Sequence, residues 1–410
     1  MAAKGRRNEI HKIQPNGLTV SELCIGTGIF GMQTDEDLKA KLDELKNDYR
    51  KGDATAASRN SFSNFTFFWR LFAMAIIGST VNRRFVLAKR PESPTSPASR
   101  DLFELQSVDV PELADGEFLV ESHWMSLDPW IRGTMNGNRS YQASVELGDV
   151  MRALCAGRVV VSRNAAFPVG TPVSGMLGWQ DYAVTDGTLI RKIPENAPLE
   201  LGLNLLGING QTAWFGINDI GKPKAGETAV VTAAAGGVGS IAVQLLKAAG
   251  CRVIGLAGDD EKCEWVKSIG AADCINYKTT DIGKALSVLC PDRVDVVFDN
   301  VGGAMLDELL LHLNTNARIV LSGALSRYNA KPEPLTNWLQ LHINRATMKG
   351  YIFLDHFDRF DEADTDMMRR WERGELLYRE HIIDGLENAP DALSKLFDGS
   401  NRGKLLVKIR

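Results

Sequence analysis

Downstream of about residue 205 the apolar positions fall into two alternating rhythms. Thr228 to Ala233 (TAVVTA) is a short, almost wholly apolar run, as a strand buried on both faces requires. Val238, Ile241, Ala242, Leu245, Leu246 and Ala249 then recur at helical spacing, which gathers them on one face. Cys251 to Ala257 reads as a second strand, Lys262 to Ile269 as a helix and Ala272 to Ile275 as a short third strand. Val294 to Phe298, Ala317 to Leu321 and Met348 to Leu354 supply further buried strands. Strand and helix in strict alternation predict an α/β fold with a doubly wound parallel sheet of Rossmann type.

The stretch before it has another rhythm. Phe85 to Ala88, Phe118 to Ser122, Gly157 to Ser162 and Thr171 to Gly175 are short β-like runs bounded by Gly, Pro and Asp, and Pro91 to Pro97 is a proline-rich loop. A small, mostly-β domain fits that spacing. A last strand, Lys404 to Ile409, closes the chain. Residues 1–80 follow neither pattern. Lys39 to Arg50 reads as a charged helix, and Lys51 to Asn64 is polar. The aromatic segment Phe65 to Ile77 is open to three readings: a membrane-surface anchor, a packing helix or a flexible extension.

Composition narrows the function classes. A net charge of −4, from 47 basic and 51 acidic residues, gives no field to recruit nucleic acid, and no basic stripe stands out. Arg70 interrupts the longest apolar run, so a membrane-spanning helix is not expected, and any membrane contact is confined to the N-terminal extension. Six cysteines (Cys24, Cys155, Cys251, Cys263, Cys274, Cys290) are scattered without a CxxC pair. That argues against a disulfide framework or a zinc lobe, and for a reducing, cytoplasmic setting.

The strongest chemical signal is Ala233-Ala234-Ala235-Gly236-Gly237-Val238-Gly239-Ser240. It follows an apolar strand and opens an amphipathic helix. Gly236 lets the backbone approach a pyrophosphate, Gly239 lets the helix pack on the strand, and the helix N-terminus offers free N–H groups to the phosphates. Ala234 stands where the usual fingerprint has its first glycine. The end of the second strand, Ala257-Gly258-Asp259-Asp260-Glu261-Lys262, bears on the choice of nucleotide. Asp259 accepting ribose hydroxyls favours NADH, whereas Lys262 neutralising a 2′-phosphate favours NADPH. Spacing leaves both open.

Ordered motifs from about Arg83 to the end resemble one family. They include Ser126-Leu127-Asp128-Pro129-Trp130-Ile131-Arg132-Gly133, Glu146-Leu147-Gly148-Asp149-Val150-Met151-Arg152, Asp219-Ile220-Gly221-Lys222-Pro223, Asn276-Tyr277-Lys278, Phe298-Asp299-Asn300-Val301-Gly302-Gly303 and Ser322 to Asn329. The chain is identified as a member of the zinc-independent medium-chain dehydrogenases/reductases, in the branch of the prostaglandin/leukotriene, curcumin and alkenal double-bond reductases. The resemblance implies a GroES-like catalytic domain over 81–205, completed by 371–410, and a Rossmann NADP-binding domain over 206–370. It implies NADP(H), a homodimer, and hydride addition to the β-carbon of a small enone or enal. A quinone reductase and a catalytically silent NADPH-binding sensor are the rival readings.

Carried over by position, Gly236, Gly237, Val238, Gly239 and Ser240 would surround the pyrophosphate. Lys262 and Tyr277 would lie by the adenosine ribose and its 2′-phosphate, and Asn300 by the nicotinamide. The loop Ser322, Gly323, Ala324, Leu325, Ser326, Arg327 and Tyr328, the strand Tyr351, Ile352 and Phe353, and Asn401 would complete the site. Tyr328 is the expected catalytic residue, stabilising an enolate. The Gly-His-Glu motif and four-cysteine lobe of zinc-dependent relatives are absent from the sequence, so no metal is expected. Asp259 departs from the family, which often has a small polar residue there. Residues 1–80 depart too; within them Asn16 to Thr27 is similar to the opening of an aldo-keto reductase. Trp130, Met135, Tyr141 and Trp214 are candidates for an apolar substrate wall, and Asn329 to Leu335 for a lid.

Overall fold

The computed structural model describes residues 80–137, 141–331 and 333–410. The charged helix, the aromatic segment and the aldo-keto-reductase-like stretch lie outside the described residues. β1 (Val81–Leu87) and β2 (Phe103–Asp109) pair antiparallel as a separate ribbon. β3 (Phe118–Ser126) is followed by a short helix, α1 (Trp130–Thr134). β4 (Leu154–Ser162), β5 (Pro172–Met176) and β7 (Ile190–Lys192) extend the sheet antiparallel, and β6 (Tyr182–Thr185) pairs back onto β3. Alternate positions face a core that holds Phe118, Val120, Cys155, Val159 and Trp179.

The chain then leaves this sheet through α2 (Ile208–Phe215) and builds a second one. β8 (Thr228–Val231), α3 (Gly237–Ala248), β9 (Arg252–Ala257), α4 (Asp260–Ser268) and β10 (Asp273–Asn276) form its first half. α5 (Ile282–Leu289), β11 (Val294–Asp299), α6 (Gly303–Leu310), β12 (Leu313–Leu321), α7 (Leu339–Ile343) and β13 (Thr347–Gly350) form the second. All six strands are parallel, in the order β10-β9-β8-β11-β12-β13. α2, α3 and α8 (Phe360–Glu372) pack on one face, and α5 and α6 on the other. The order reverses between β8 and β11, and at such a switch point the strand ends open a crevice for ligand.

β14 (Glu380–Asp384), α9 (Ala389–Asp398) and β15 (Lys404–Lys408) return the chain to the first sheet, where β15 pairs with β14 and, antiparallel, with β3. That pairing explains why β3 runs on through Trp124, Met125 and Ser126, beyond the expected Ser122. Their partners are Lys408, Val407 and Leu406, which no local pattern reveals. The expected strand Met348 to Leu354 is cut short. Pairing with β12 ends at Gly350, and the chain turns into a 3-10 segment, Phe353–Arg359. Among the described residues no helix is long and apolar enough to cross a membrane.

Candidate active site

The turn from β8 into α3 forms one wall of an open cleft of about 380 Å³ between the two sheets. The N–H groups of Gly237, Val238 and Gly239 lie in the first turn of α3, where a helix has no acceptors of its own. A Cβ on Gly239 would come within 2.3 Å of the Ala233 carbonyl oxygen, so this close helix–strand approach admits only glycine. At Gly236 the nearest atom would be 3.2 Å away and φ is −79°, so here glycine leaves the cleft floor clear rather than preventing a clash. Asn209, from α2, places its amide against Gly237, and its Nδ2 is buried without an acceptor. An orphaned donor beside a cluster of free N–H groups is what an anion-binding turn presents, so these residues fit a dinucleotide pyrophosphate. Asn209 was not evident from sequence, because a single asparagine in GINGQTAW carries no spacing signal.

At the end of β11, Asp299 is fully buried and holds the next turn together. Its carboxylate accepts from Thr232 Oγ1 (2.8 Å), Val301 N–H (3.1 Å) and Gly302 N–H (2.9 Å), while burial pushes its pKa up. Asn300 is fixed in turn: its N–H donates to Thr232 Oγ1 at 2.8 Å and its Nδ2 to the Thr232 carbonyl at 2.7 Å. Tyr351 donates to the Thr212 carbonyl, and burial raises its pKa, so it is a neutral, fixed wall of the cleft.

At the β9 end, Lys262 and Tyr277 both line the cleft. Asp259 is the N-cap of α4, with Oδ1 accepting the Lys262 N–H at 2.9 Å. Half of that carboxylate is therefore committed to the helix. Burial, and then Arg402, hold the Lys262 pKa below its ordinary value.

At the opposite end, Tyr328 and Tyr141 both line the cleft. Burial raises the Tyr328 pKa, and the Asp128 charge adds to the rise. Asp128 is buried in an ion pair with Lys404 and accepts from Ser126 Oγ. Tyr328 also packs on Phe397, 5.9 Å between ring centres.

Most of the anticipated site residues line this one cleft: Gly236 to Gly239, Lys262, Tyr277, Asn300, Ser322 to Leu325, Tyr328, Tyr351 to Phe353 and Asn401. Three do not. Ser240 is buried inside α3, Ser326 donates to the Val301 carbonyl at 2.7 Å, and Arg327 is exposed. Of the expected substrate wall, Trp130 and Tyr141 line the cleft. Met135 instead belongs to the core of the first sheet, and Trp214 donates to Asp366 at 3.1 Å while packing on Phe215. None of the described residues in 329–335 lines the cleft, and Leu335 packs against the α5–α6 face, as a connector does. Arg132 is buried with its guanidinium on the Ser93, Pro94 and Ser96 carbonyls, a scaffold role. Among the described residues no group of three His, Cys, Asp or Glu side chains is placed to hold a metal ion.

Two family models match: the N-terminal domain of oxidoreductase over residues 83–193 and zinc-binding dehydrogenase over 237–369. The chain belongs to the medium-chain dehydrogenases/reductases, in the zinc-independent branch of NADP-dependent oxidoreductases that includes the prostaglandin and curcumin reductases. It is 38% identical over 339 residues to the NADPH-dependent curcumin reductase of Escherichia coli, covering 80% of this chain and 97% of that one. With prostaglandin reductase 1 of Rattus norvegicus it shares 38% identity over 316 residues, 75% of this chain and 93% of the relative. The crystal structure of CurA from Vibrio vulnificus in complex with NADPH superposes with a TM-score of 0.75 at 41% identity, covering 80% of this chain and 99% of that one.

Proposed function

We propose that this protein reduces the carbon–carbon double bond of α,β-unsaturated ketones or aldehydes with NADPH. The observation that carries the reading is the Tyr328–Tyr141 pair, set in the same cleft as the glycine turn and beside Leu127, Trp130, Leu203, Leu206 and Ile208. NADPH held with its pyrophosphate at the α3 N-terminus supplies a hydride to the β-carbon. The chain's own residues hold the substrate, exclude water and bear the charge that grows on the carbonyl oxygen. Tyr328 suits that task. Burial keeps its phenol protonated, so its O–H donates to the oxygen as this becomes an enolate. A proton delivered to the α-carbon by way of Tyr328 completes the saturated carbonyl product.

In this reading Gly236 to Gly239 and Asn209 hold the pyrophosphate, and Lys262 with Tyr277 the adenosine phosphate end. Asn300, the loop from Ser322, Tyr351 to Phe353 and Asn401 enclose the rest. Residues 81–205 with 371–410 form the catalytic domain and 206–370 the cofactor domain. The protein acts in the cytoplasm as a homodimer.

The test follows the near-ultraviolet absorbance of NADPH with a 2-alkenal, an enone and a quinone offered in turn, and identifies the product. A saturated aldehyde or ketone is expected. Faster turnover of the quinone would make the protein a quinone reductase, and tight NADPH binding without any turnover a cofactor-binding sensor.

A further inference from the structure

The loop Gly399–Gly403 belongs to the first sheet, yet it reaches the nucleotide end of the second. The Gly399 carbonyl accepts from Lys262 Nζ at 2.7 Å, and Gly403 bridges to Gly236. Arg402 lies between them. Its Nη1 is 3.2 Å from Asp259 Oδ2 and its Nε 3.2 Å from Glu261 Oε2. Arg379, from the same half, closes on Glu261 Oε1 at 2.6 Å. Both oxygens of Asp259 are thus engaged, one by the α4 cap and one by Arg402.

The arrangement answers a physical problem. A free carboxylate at the end of the second strand favours ribose hydroxyls and repels a 2′-phosphate. Here two arginines face Asp259 and Glu261, while Asp260 is drawn aside to accept from Asn276 Nδ2 at 2.7 Å. Asp398, the remaining nearby carboxylate, is occupied by the Ser400 N–H at 2.7 Å. Lys262 lines the cleft; Arg402 and Lys278 disfavour its charge, while Asp259 and Asp398 favour it. With Asp259 paired to Arg402, an added anion meets a neutralised carboxylate rather than a free one.

We infer that Arg402 is a specificity-determining residue for the nucleotide: by neutralising Asp259 it lets Lys262 receive the 2′-phosphate of NADPH. The inference rests on the reading of NADPH as cofactor and adds that the preference is made jointly by both halves of the chain. Without Arg402, Asp259 acts as a selector for NADH.

The experiment measures dissociation constants for NADPH and for NADH separately, by quenching of tryptophan fluorescence. It uses the full-length protein, R402L, R402K, D259S and the double variant R402L/D259S. The wild type is expected to bind NADPH the more tightly. In R402L the NADPH constant should rise by about three- to fivefold, the scale of one partly exposed charge pair, with NADH binding held or improved. R402K should keep most of the preference, and D259S/R402L should recover it. Retained NADH binding shows that R402L is folded. If R402L weakens both nucleotides alike, or the double variant recovers nothing, Arg402 only anchors the loop and the inference falls. A wild type indifferent between the nucleotides would overturn the NADPH reading itself.

Discussion

Tyr328 shows how much of a residue's chemistry is set by its neighbours. The phenol is ordinary in sequence, but burial and the nearby Asp128 charge raise its pKa. The sign of that shift matters. A raised pKa means the neutral, donating form persists as pH rises, so no activity should be lost to phenol ionisation until the ordinary value of 10.0 is passed. Removing only the hydroxyl, by Tyr328→Phe, should lower turnover of an enone by about a hundredfold or more while NADPH binding changes little. Pre-steady-state hydride transfer alongside nucleotide titration checks this; unchanged transfer would take Tyr328 out of the chemistry. The motif located this residue within the chain. Asn209 beside Gly237 and the Asp128–Lys404 pair were invisible, because each joins residues that only folding makes neighbours.

Among the elements, α3 was read with its start and its buried face almost in register, since one motif dictates its cap, its close packing and its apolar stripe. The two glycines of that motif separate fold from ligand. Gly239→Ala drives a Cβ to 2.3 Å from the Ala233 carbonyl and should destabilise the protein by about 1–3 kcal/mol. Gly236→Ala has a compatible backbone and meets the Ala233 carbonyl oxygen only at 3.2 Å, so its melting temperature should fall much less than that of Gly239→Ala while NADPH affinity falls. Thermal melts with and without nucleotide decide between these outcomes; equal melting losses at both positions would refute the separation. β13 and β14 were harder to read. β13 is an edge strand of mostly exposed residues, and β14 a short one paired, among the described residues, with β15 alone, so neither carries a long apolar run.

For the whole molecule, that edge has a consequence. Among the described residues β13 is an edge of the six-stranded sheet, and Trp338 (61% exposed), Leu339 (50%) and Ile343 (51%) stand apolar nearby. An unprotected edge beside apolar side chains favours pairing with a second copy. Light scattering should give twice the chain mass of 45.0 kDa, and Trp338→Lys with Leu339→Lys should shift the protein toward the monomer. A wild-type monomer at micromolar concentration would reject the homodimer.

Periodicity and the glycine turn, both local in the chain, determined by themselves the doubly wound sheet and the helix that opens at Gly237, and the ordered motifs singled out Tyr328 as the candidate for the chemistry. Tertiary structure alone decided which residues face the cleft. It drew Trp214 and Met135 into cores, turned the expected strand at Tyr351 into a cleft wall, and brought Arg402 to Asp259 across more than a hundred residues of chain. Short-range patterns encode which face of an element is buried. Which charges meet is set by the return of the chain to its first sheet, and that return has no local signature.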